Sequence, residues 1–370
     1  MSNPRGQVEL LETIGKGNYG YVYKGRLLTR DVITAVKVVM LKEDEIKETL
    51  LEMEILQACS HPNITSFMGC YLKGLDLWIC MEYCGAGSLD TFYRKIKQGI
   101  TEDEIACILY ETLLALNYLH TEAALIHRDI KAGNLLLTDS GMVKLADFGV
   151  SAQLDRVGGT AHTFIGTPYW MAPEVIMTED SSDVYTCKAD IWSVGITAIE
   201  MAEKNPPLSD IHPMRALKLI PTSNIGLAKP KLFSKPFVDF VSACLVKNPL
   251  KRPTAAEILE HPFLINGKSL DRAALLTNLV QKMADAKASK VVNGAAPVSH
   301  DDEDEYKPQE APQQAVAAAV TYATNIRKNP GQSFEFPMFS IPTSSFTNLF
   351  VSSFNIVLFS KCGIANGSIF

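Results

Sequence analysis

The apolar residues of this 370-residue chain change period near residue 85, and that change limits the fold more than any other single feature. From Leu10 to about Leu41 they alternate in short runs broken by glycines, which is the pattern of strands, and strand-like runs return at Ile64–Leu72 and Leu77–Tyr83. Between these runs Glu45–Cys59 has helical periodicity, with Ile46, Leu50, Met53 and Leu56 on related faces. After the Gly85-Ala86-Gly87 break, Thr101–His120 and Asp190–Glu203 read as long, largely apolar helices. The pattern predicts an α+β chain in which a small β-rich lobe precedes a larger helical one, with Glu82–Gly87 as the connector. A hydrophobic content of 47% supplies a sizeable core and excludes a wholly disordered chain. Ligands commonly bind in the crevice between two such lobes.

The residues that carry chemistry sit at the edges of that crevice. Gly15-x-Gly17-x-x-Gly20-x-Val22 is a glycine loop of a spacing shared with dinucleotide-binding folds, so its context decides. A dinucleotide loop opens a helix, whereas Tyr21–Arg26 alternates and reads as the second strand of a hairpin, whose glycines let backbone N–H groups approach phosphate oxygens. Ala35-Val36-Lys37 lies on the next strand. A lysine buried there needs counter-charge, which ATP phosphates and a carboxylate would supply; Glu52 is the best-placed acid, with Glu48 and Glu54 as rivals. In His127-Arg128-Asp129-x-x-x-x-Asn134, Asp129 can accept a hydrogen bond from an incoming hydroxyl, and Asn134 offers a carbonyl oxygen to Mg²⁺, a hard cation that prefers such ligands. Asp147-Phe148-Gly149 follows a predicted strand at Met142–Ala146 and brings a second metal-binding oxygen ligand, while Ala172-Pro173-Glu174 closes the intervening segment. Ten specified positions at about one in twenty each make chance agreement on the order of 10⁻¹³ before placement is considered.

On these residues the chain resembles the eukaryotic protein kinases over Leu10–Leu264, about seven-tenths of its length, with the family's motifs in the family's order. The resemblance implies the bilobal protein kinase fold for residues 8–264, divided into an N-lobe at 8–83, a hinge at 82–87 and a C-lobe at 88–264. It implies ATP and Mg²⁺ as cofactors and protein substrates as partners. It also implies an adenine pocket walled by Ile14, Val22, Ala35 and Leu136, with Met81 as gatekeeper and the Glu82 carbonyl and Cys84 amide on the adenine edge. Lys131, two residues after Asp129, and Thr167 in Gly166-Thr167-Pro168 match the serine/threonine rather than the tyrosine form. Retention of Lys37, Asp129 and Asp147 argues against a catalytically dead scaffold. The finer resemblance is to the sterile-twenty-like kinases of the germinal-centre group, which phosphorylate upstream kinases of stress-type MAP kinase cascades. It rests on Leu77–Cys84, Phe164–Glu174, Asp210–Leu217 and Lys247–Thr254. From that pattern Arg252 and Glu174 are expected to form an ion pair, and Asp190 to anchor the catalytic loop.

A phosphate on the segment before Ala172 would meet the Arg128 guanidinium through charge-assisted hydrogen bonds; the family resemblance implies Thr163 as the acceptor, with Thr160 the runner-up. Beyond the kinase-like stretch, residues 265–290 are expected to include an amphipathic helix, Ser269–Lys287, that uses Leu270, Leu275, Leu276, Leu279, Val280 and Met283. Residues 291–370 are expected to be a disordered or atypical tail, with Tyr306 beside the acidic run Asp301–Glu305 as a docking point for an adaptor. Germinal-centre kinases usually end in a large β-rich regulatory domain, so a truncated or alternatively spliced C-terminus is the expectation. The uncharged stretch Phe336–Ser360 contains Pro337 and Pro342, so no membrane span is expected. A net charge of −6 argues against nucleic-acid binding. Scattered cysteines and an N-terminus without an apolar leader point to the cytoplasm.

Overall fold

The computed structural model describes residues 6–17, 20–41, 56–74, 76–95, 99–147, 168–177, 186–268 and 271–292. The first lobe is a five-stranded antiparallel sheet in the order β1-β2-β3-β5-β4, formed by β1 (Val8–Gly17), β2 (Gly20–Leu27), β3 (Val32–Met40), β4 (Phe67–Lys73) and β5 (Asp76–Glu82). Its strands are rich in β-branched and aromatic residues, which fit a pleated, packed surface. Alternation sorts them onto two faces: Val36, Val38, Trp78 and Cys80 pack on one, and Val39, Leu77 and Ile79 on the other. Lys37 has the parity of Val39, so its side chain leaves the sheet on the Ile79 face. Of the predicted helix Glu45–Cys59, only residues 56–59 are described; 56–58 are helical and Cys59 already lies beyond the helix end.

A small second sheet, β6 (Gly87–Ser88), β7 (Leu135–Leu137) and β8 (Val143–Leu145), lies at the junction of the lobes. The segment before β4 runs alongside it: Leu145 N–H donates to the Asn63 carbonyl at 2.8 Å, and Thr65 N–H to the Leu145 carbonyl at 3.0 Å. The Asn63 amide adds bonds to Glu111 Oε2 at 3.1 Å and to the Val143 carbonyl at 3.0 Å. The lobes are therefore stitched together at a second place besides the connector.

The second lobe comprises α1 (Leu89–Lys95), α2 (Glu102–Thr121), α3 (Pro173–Met177), α4 (Lys188–Glu203), α5 (Pro213–Leu219), α6 (Lys235–Cys244), α7 (Ala255–Leu259), α8 (Pro262–Lys268) and α9 (Arg272–Val292). Thr101 and Glu104 start α2 with a reciprocal capping box, and Ser234 caps α6 through the Phe237 N–H. From Ala189 to Met201 every residue of α4 is buried, the signature of a helix surrounded on all sides by its own domain. It shares one continuous core with residues of the other helices, a core that includes Trp192, Phe237 and Phe240. Arg252 pairs with both oxygens of Glu174, at 2.6 and 3.0 Å, and donates further to the Lys188 and Val246 carbonyls.

The helix expected over Ser269–Lys287 instead starts at Arg272, because Asp271 caps it: its carboxylate accepts from Ala274 N–H at 3.1 Å. It continues to Val292, past the boundary drawn at residue 290. Leu276, Leu279 and Met283 are buried against the helical core and Leu275 and Val280 pack at its margin, while Leu270 lies outside the described residues. No helix among the described residues is long and apolar enough to cross a membrane.

Candidate active site

The loop before β7 is ordered from below by α4. Asp190, fully buried, accepts from His127 N–H at 2.9 Å, from Arg128 N–H at 2.8 Å and from His120 Nε2 at 2.7 Å. Burial alone would raise its pKa, but the His120 hydrogen bond, the histidine charges and the Arg128 amide outweigh it and hold the carboxyl below the usual aspartate range. These bonds steady a backbone that needs holding, because Arg128 sits at φ 70°, in the left-handed region disfavoured for a residue with a Cβ. Burial keeps the His127 imidazole below its usual pKa and hence neutral near pH 7. Its Nε2 lies 3.2 Å from the Ala146 carbonyl as donor, and Nδ1 accepts from Asp129 N–H at 3.3 Å. One ring thus links the loop to the residue preceding Asp147.

At the top of the loop the Asp129 carboxylate is held from two sides. Lys131 Nζ lies 2.7 Å from Oδ2 and 3.0 Å from Oδ1, and Asn134 Nδ2 donates to Oδ2 at 2.8 Å and to the Asp129 carbonyl at 2.7 Å. With its amide N–H groups turned to Asp129, Asn134 keeps its carbonyl oxygen as the atom of ligand type. About a quarter of the Asp129 side chain is open, 26% by area, so the group is both fixed and reachable.

Lys37 approaches from the sheet. It is buried, and its Nζ lies 2.8 Å from Asp147 Oδ1. The Lys37 charge outweighs the cost of burial and holds the Asp147 carboxyl below the usual range. Asp147 also has a left-handed backbone, φ 56°, so the two strained non-glycine residues of the site, Arg128 and Asp147, flank the same cluster. The sequence suggested Glu52 as the acid beside Lys37; Glu52, with Glu48 and Glu54, lies outside the described residues. The described partner is Asp147, 110 residues away, which sequence periodicity cannot signal.

Strand register places the expected nucleotide residues on the Lys37 face. Gly15 is paired with Val22, Val22 with Lys37 and Lys37 with Ile79; in the next row Ala35 is paired with Met81. Residues directly opposite share a face, so Gly15, Val22, Ala35 and Met81 line one surface with Lys37. Val22, Ala35, Met81 and Leu136 are half-buried, whereas the flanking Val36, Leu135 and Leu137 are wholly buried. Leu136 pairs with Lys144, whose Nζ is 2.8 Å from Glu82 Oε2, so its face looks toward the connector. Ile14 is exposed, and Cys84 is buried with its thiol pushed up to about 12 by desolvation. At Gly20, φ 146°, an added Cβ would lie 1.9 Å from the Val38 carbonyl oxygen, so only glycine closes this hairpin; at Gly15 a Cβ would meet only Val22, at 3.8 Å. Gly17 is the last residue of β1, opposite Gly20, and the tip between them lies outside the described residues.

Two supports had no local sequence signal. Glu200, ten residues along α4 from Asp190, accepts from Ala132 N–H at 3.0 Å, Trp170 Nε1 at 2.9 Å and Tyr93 O–H at 2.7 Å, and desolvation raises its pKa. Thr34 Oγ1 donates to the Met81 carbonyl at 2.7 Å, fastening β3 to the start of the connector. Thr160, Thr163 and Thr167 lie outside the described residues.

The donor set fits a nucleotide with a hard cation: carbonyl and carboxylate oxygens at Asn134 and Asp147, an ammonium at Lys37, and a glycine strand over a half-buried apolar wall. A model of the protein kinase domain matches residues 8–264. Serine/threonine-protein kinase dst2 of Dictyostelium discoideum is 47% identical over 303 residues, 80% of this chain and 25% of that protein. The chain therefore spans about a quarter of the length of that relative. Both sheets, the connector and the helical core through Leu264 fall within the matched region, and the chain belongs to the protein kinase family, which uses ATP as substrate and Mg²⁺ as cofactor.

Proposed function

We propose that this chain is a serine/threonine protein kinase that transfers the γ-phosphate of ATP to serine or threonine hydroxyls of proteins. The observation that carries the reading is the Asp129 carboxylate clamped between Lys131 and Asn134 while still partly open. Asp129 accepts a hydrogen bond from the substrate hydroxyl and aims its oxygen at the γ-phosphorus; the new O–P bond forms as the bond to the β–γ bridging oxygen breaks, leaving ADP. Lys131 sits where negative charge grows on the transferring group, and Lys37 holds the phosphates from the sheet side. Asn134 and Asp147 would hold Mg²⁺, which when bound neutralises phosphate charge.

The decisive test compares wild type with Asp129→Asn for transfer of labelled γ-phosphate to a generic acceptor. The substitution should lower turnover by about 10²- to 10⁴-fold, the usual weight of a positioned acid–base group. No transfer by the phosphorylated wild type would identify the chain as an inactive scaffold.

The finer reading makes this a germinal-centre-type kinase of the cytoplasm that phosphorylates other kinases, upstream members of a stress-type MAP kinase cascade. Its support is the resemblance in Leu77–Cys84, Phe164–Glu174, Asp210–Leu217 and Lys247–Thr254. Thr163, or else Thr160, is the activating phosphorylation site, Thr167 faces the substrate hydroxyl, and Tyr306 is a docking point for an adaptor. Phosphopeptide mapping of substrates, with and without an inhibitor that acts on a Met81→Gly enzyme, would overturn the cascade assignment if no kinase appears among them.

A further inference from the structure

Charge is distributed very unevenly over the helical lobe. Between Lys204 and Arg252 the chain carries nine Lys or Arg against two Asp or Glu, net +7 in a molecule whose total is −6. Arg252 is buried on Glu174, and Lys247 donates to the Pro221 carbonyl at 2.9 Å; the other seven are exposed. The densest group is Lys229, Lys231 and Lys235, around the Pro230–Leu232 turn that leads into α6. Leu232, between them, keeps 73% of its surface exposed. Two of the nearby acids are engaged by other donors: Glu102 accepts from Ser234 N–H at 3.0 Å and from its hydroxyl, and Glu203 accepts from Ala228 N–H at 2.9 Å and Lys229 N–H at 3.3 Å; Asp239, one turn along α6 from Lys235, is exposed.

The position of α9 says what can reach this surface. Arg272, at its start, lies over the Tyr110 ring at 4.4 Å, and Lys282 pairs with Glu104 at 2.6 Å, so α9 runs antiparallel to α2. It passes the beginning of α2, where Glu102 touches Ser234, two positions after Leu232 and directly before Lys235. From Val292, the end of α9, nine residues lead to Asp301, a tether of at most about 30 Å. There the chain carries five consecutive acids, Asp301–Glu305, followed directly by the Tyr306 ring, in a stretch with no Lys or Arg from residue 291 to 306.

We infer that the Asp301–Glu305 run docks on the Lys229–Lys231–Leu232–Lys235 surface of the same chain, holding the C-terminal segment against the helical lobe. The occupant is chosen by opposite charge, by the apolar ring beside the run to match Leu232, and by a tether that begins where α9 delivers it. Neither the active-site geometry nor the phosphotransfer reading enters the inference, so either can fail without the other.

The test is a zero-length carbodiimide reaction on the full chain, which joins a carboxylate to an ammonium it touches, followed by mass spectrometry of the monomer. Amide links from residues 301–305 to Lys229, Lys231 and Lys235 are expected. Their yield should fall about tenfold from about 0.1 M to about 1 M salt, as the screening length shortens from about 10 Å to about 3 Å. In a Lys229→Gln, Lys231→Gln, Lys235→Gln variant these links must vanish and protease cleavage at 293–300 should quicken, while the thermal midpoint stays that of wild type. Links found only in a dimer would assign the surface to a second copy, and links confined to Lys287 and Lys290 of α9 would assign the acids to their own helix. Either result, salt-insensitive yield, or no link at all overturns the proposal.

Discussion

The sheet and the catalytic loop present their charged groups to the same cleft but hold them by opposite means. Lys37 is positioned by register: its neighbours Val22 and Ile79 are fixed by ladder hydrogen bonds, and only a one-residue slip could turn it to the other face. Asp129 has no ladder. It depends on two buried carboxylates of α4, Asp190 under residues 127–128 and Glu200 under Ala132, that satisfy backbone donors a loop would otherwise leave bare. Regular structure thus places the lysine through many small identical contacts, whereas the loop is placed by a few strong individual ones. Single substitutions should therefore injure the loop more than the sheet.

The largest effect is expected at Asp190→Ala. It strands the buried His127 amide, the partly buried Arg128 amide and the His120 ring, which should cost about 3–5 kcal/mol and abolish turnover, as chemical denaturation and phosphate transfer would reveal. Gly20→Ala is the sheet's own weak point: its Cβ cannot coexist with the Val38 carbonyl, so β2 and β3 must part locally, at about 1–3 kcal/mol. A loss larger than that of Asp190→Ala would break the contrast. Thr34→Val removes one hydrogen bond at the connector and should cost about 1 kcal/mol, with a raised KM for ATP as its kinetic sign.

The smallest effect is one of slope. Glu200 has a raised pKa, so the native state binds its proton more tightly than the unfolded chain does, and stability declines as pH rises from the ordinary carboxylate range through the folded pKa. Asp190 is shifted down, so its contribution is retained above the usual aspartate pKa and lost only as pH falls below it. In Glu200→Gln the amide oxygen can take the Ala132 and Trp170 donors while the Tyr93 hydroxyl turns round to accept. The variant should therefore keep its midpoint at acidic pH but lose the decline seen in wild type, as urea titrations between about pH 4 and about pH 8 would register.

The sequence made the lobes legible because each has a dominant period, and it made Asp129, Asn134 and Asp147 legible because short motifs tie each to its neighbours in the chain. It did not reveal that Lys37 would meet Asp147, that Glu200 would brace Ala132 and Trp170, or that His127 would bridge to Ala146. These contacts join residues from 19 to 110 positions apart, and no local pattern encodes which of several buried acids will face which loop. The ion pair of Arg252 with Glu174 and the Asp190 anchor were foreseen only through the family resemblance, for the same reason. The end of α9 was missed because its last turns carry Ala, Ser and Lys, whose weak amphipathic signal stops before the helical backbone does.

The Asp190 anchor also has a consequence for timing. Residues 127–134 are shaped by contacts made wholly within the fold, through His127, Arg128 and Asp129 to Asp190, Ala146 and Asn134. Ordering a backbone costs on the order of 1–2 kcal/mol per residue. For this loop that entropy is surrendered once, when the molecule folds, and is not surrendered again at each catalytic cycle. Heat or mutation that loosens α4 should therefore slow the chemistry well before it unfolds the protein.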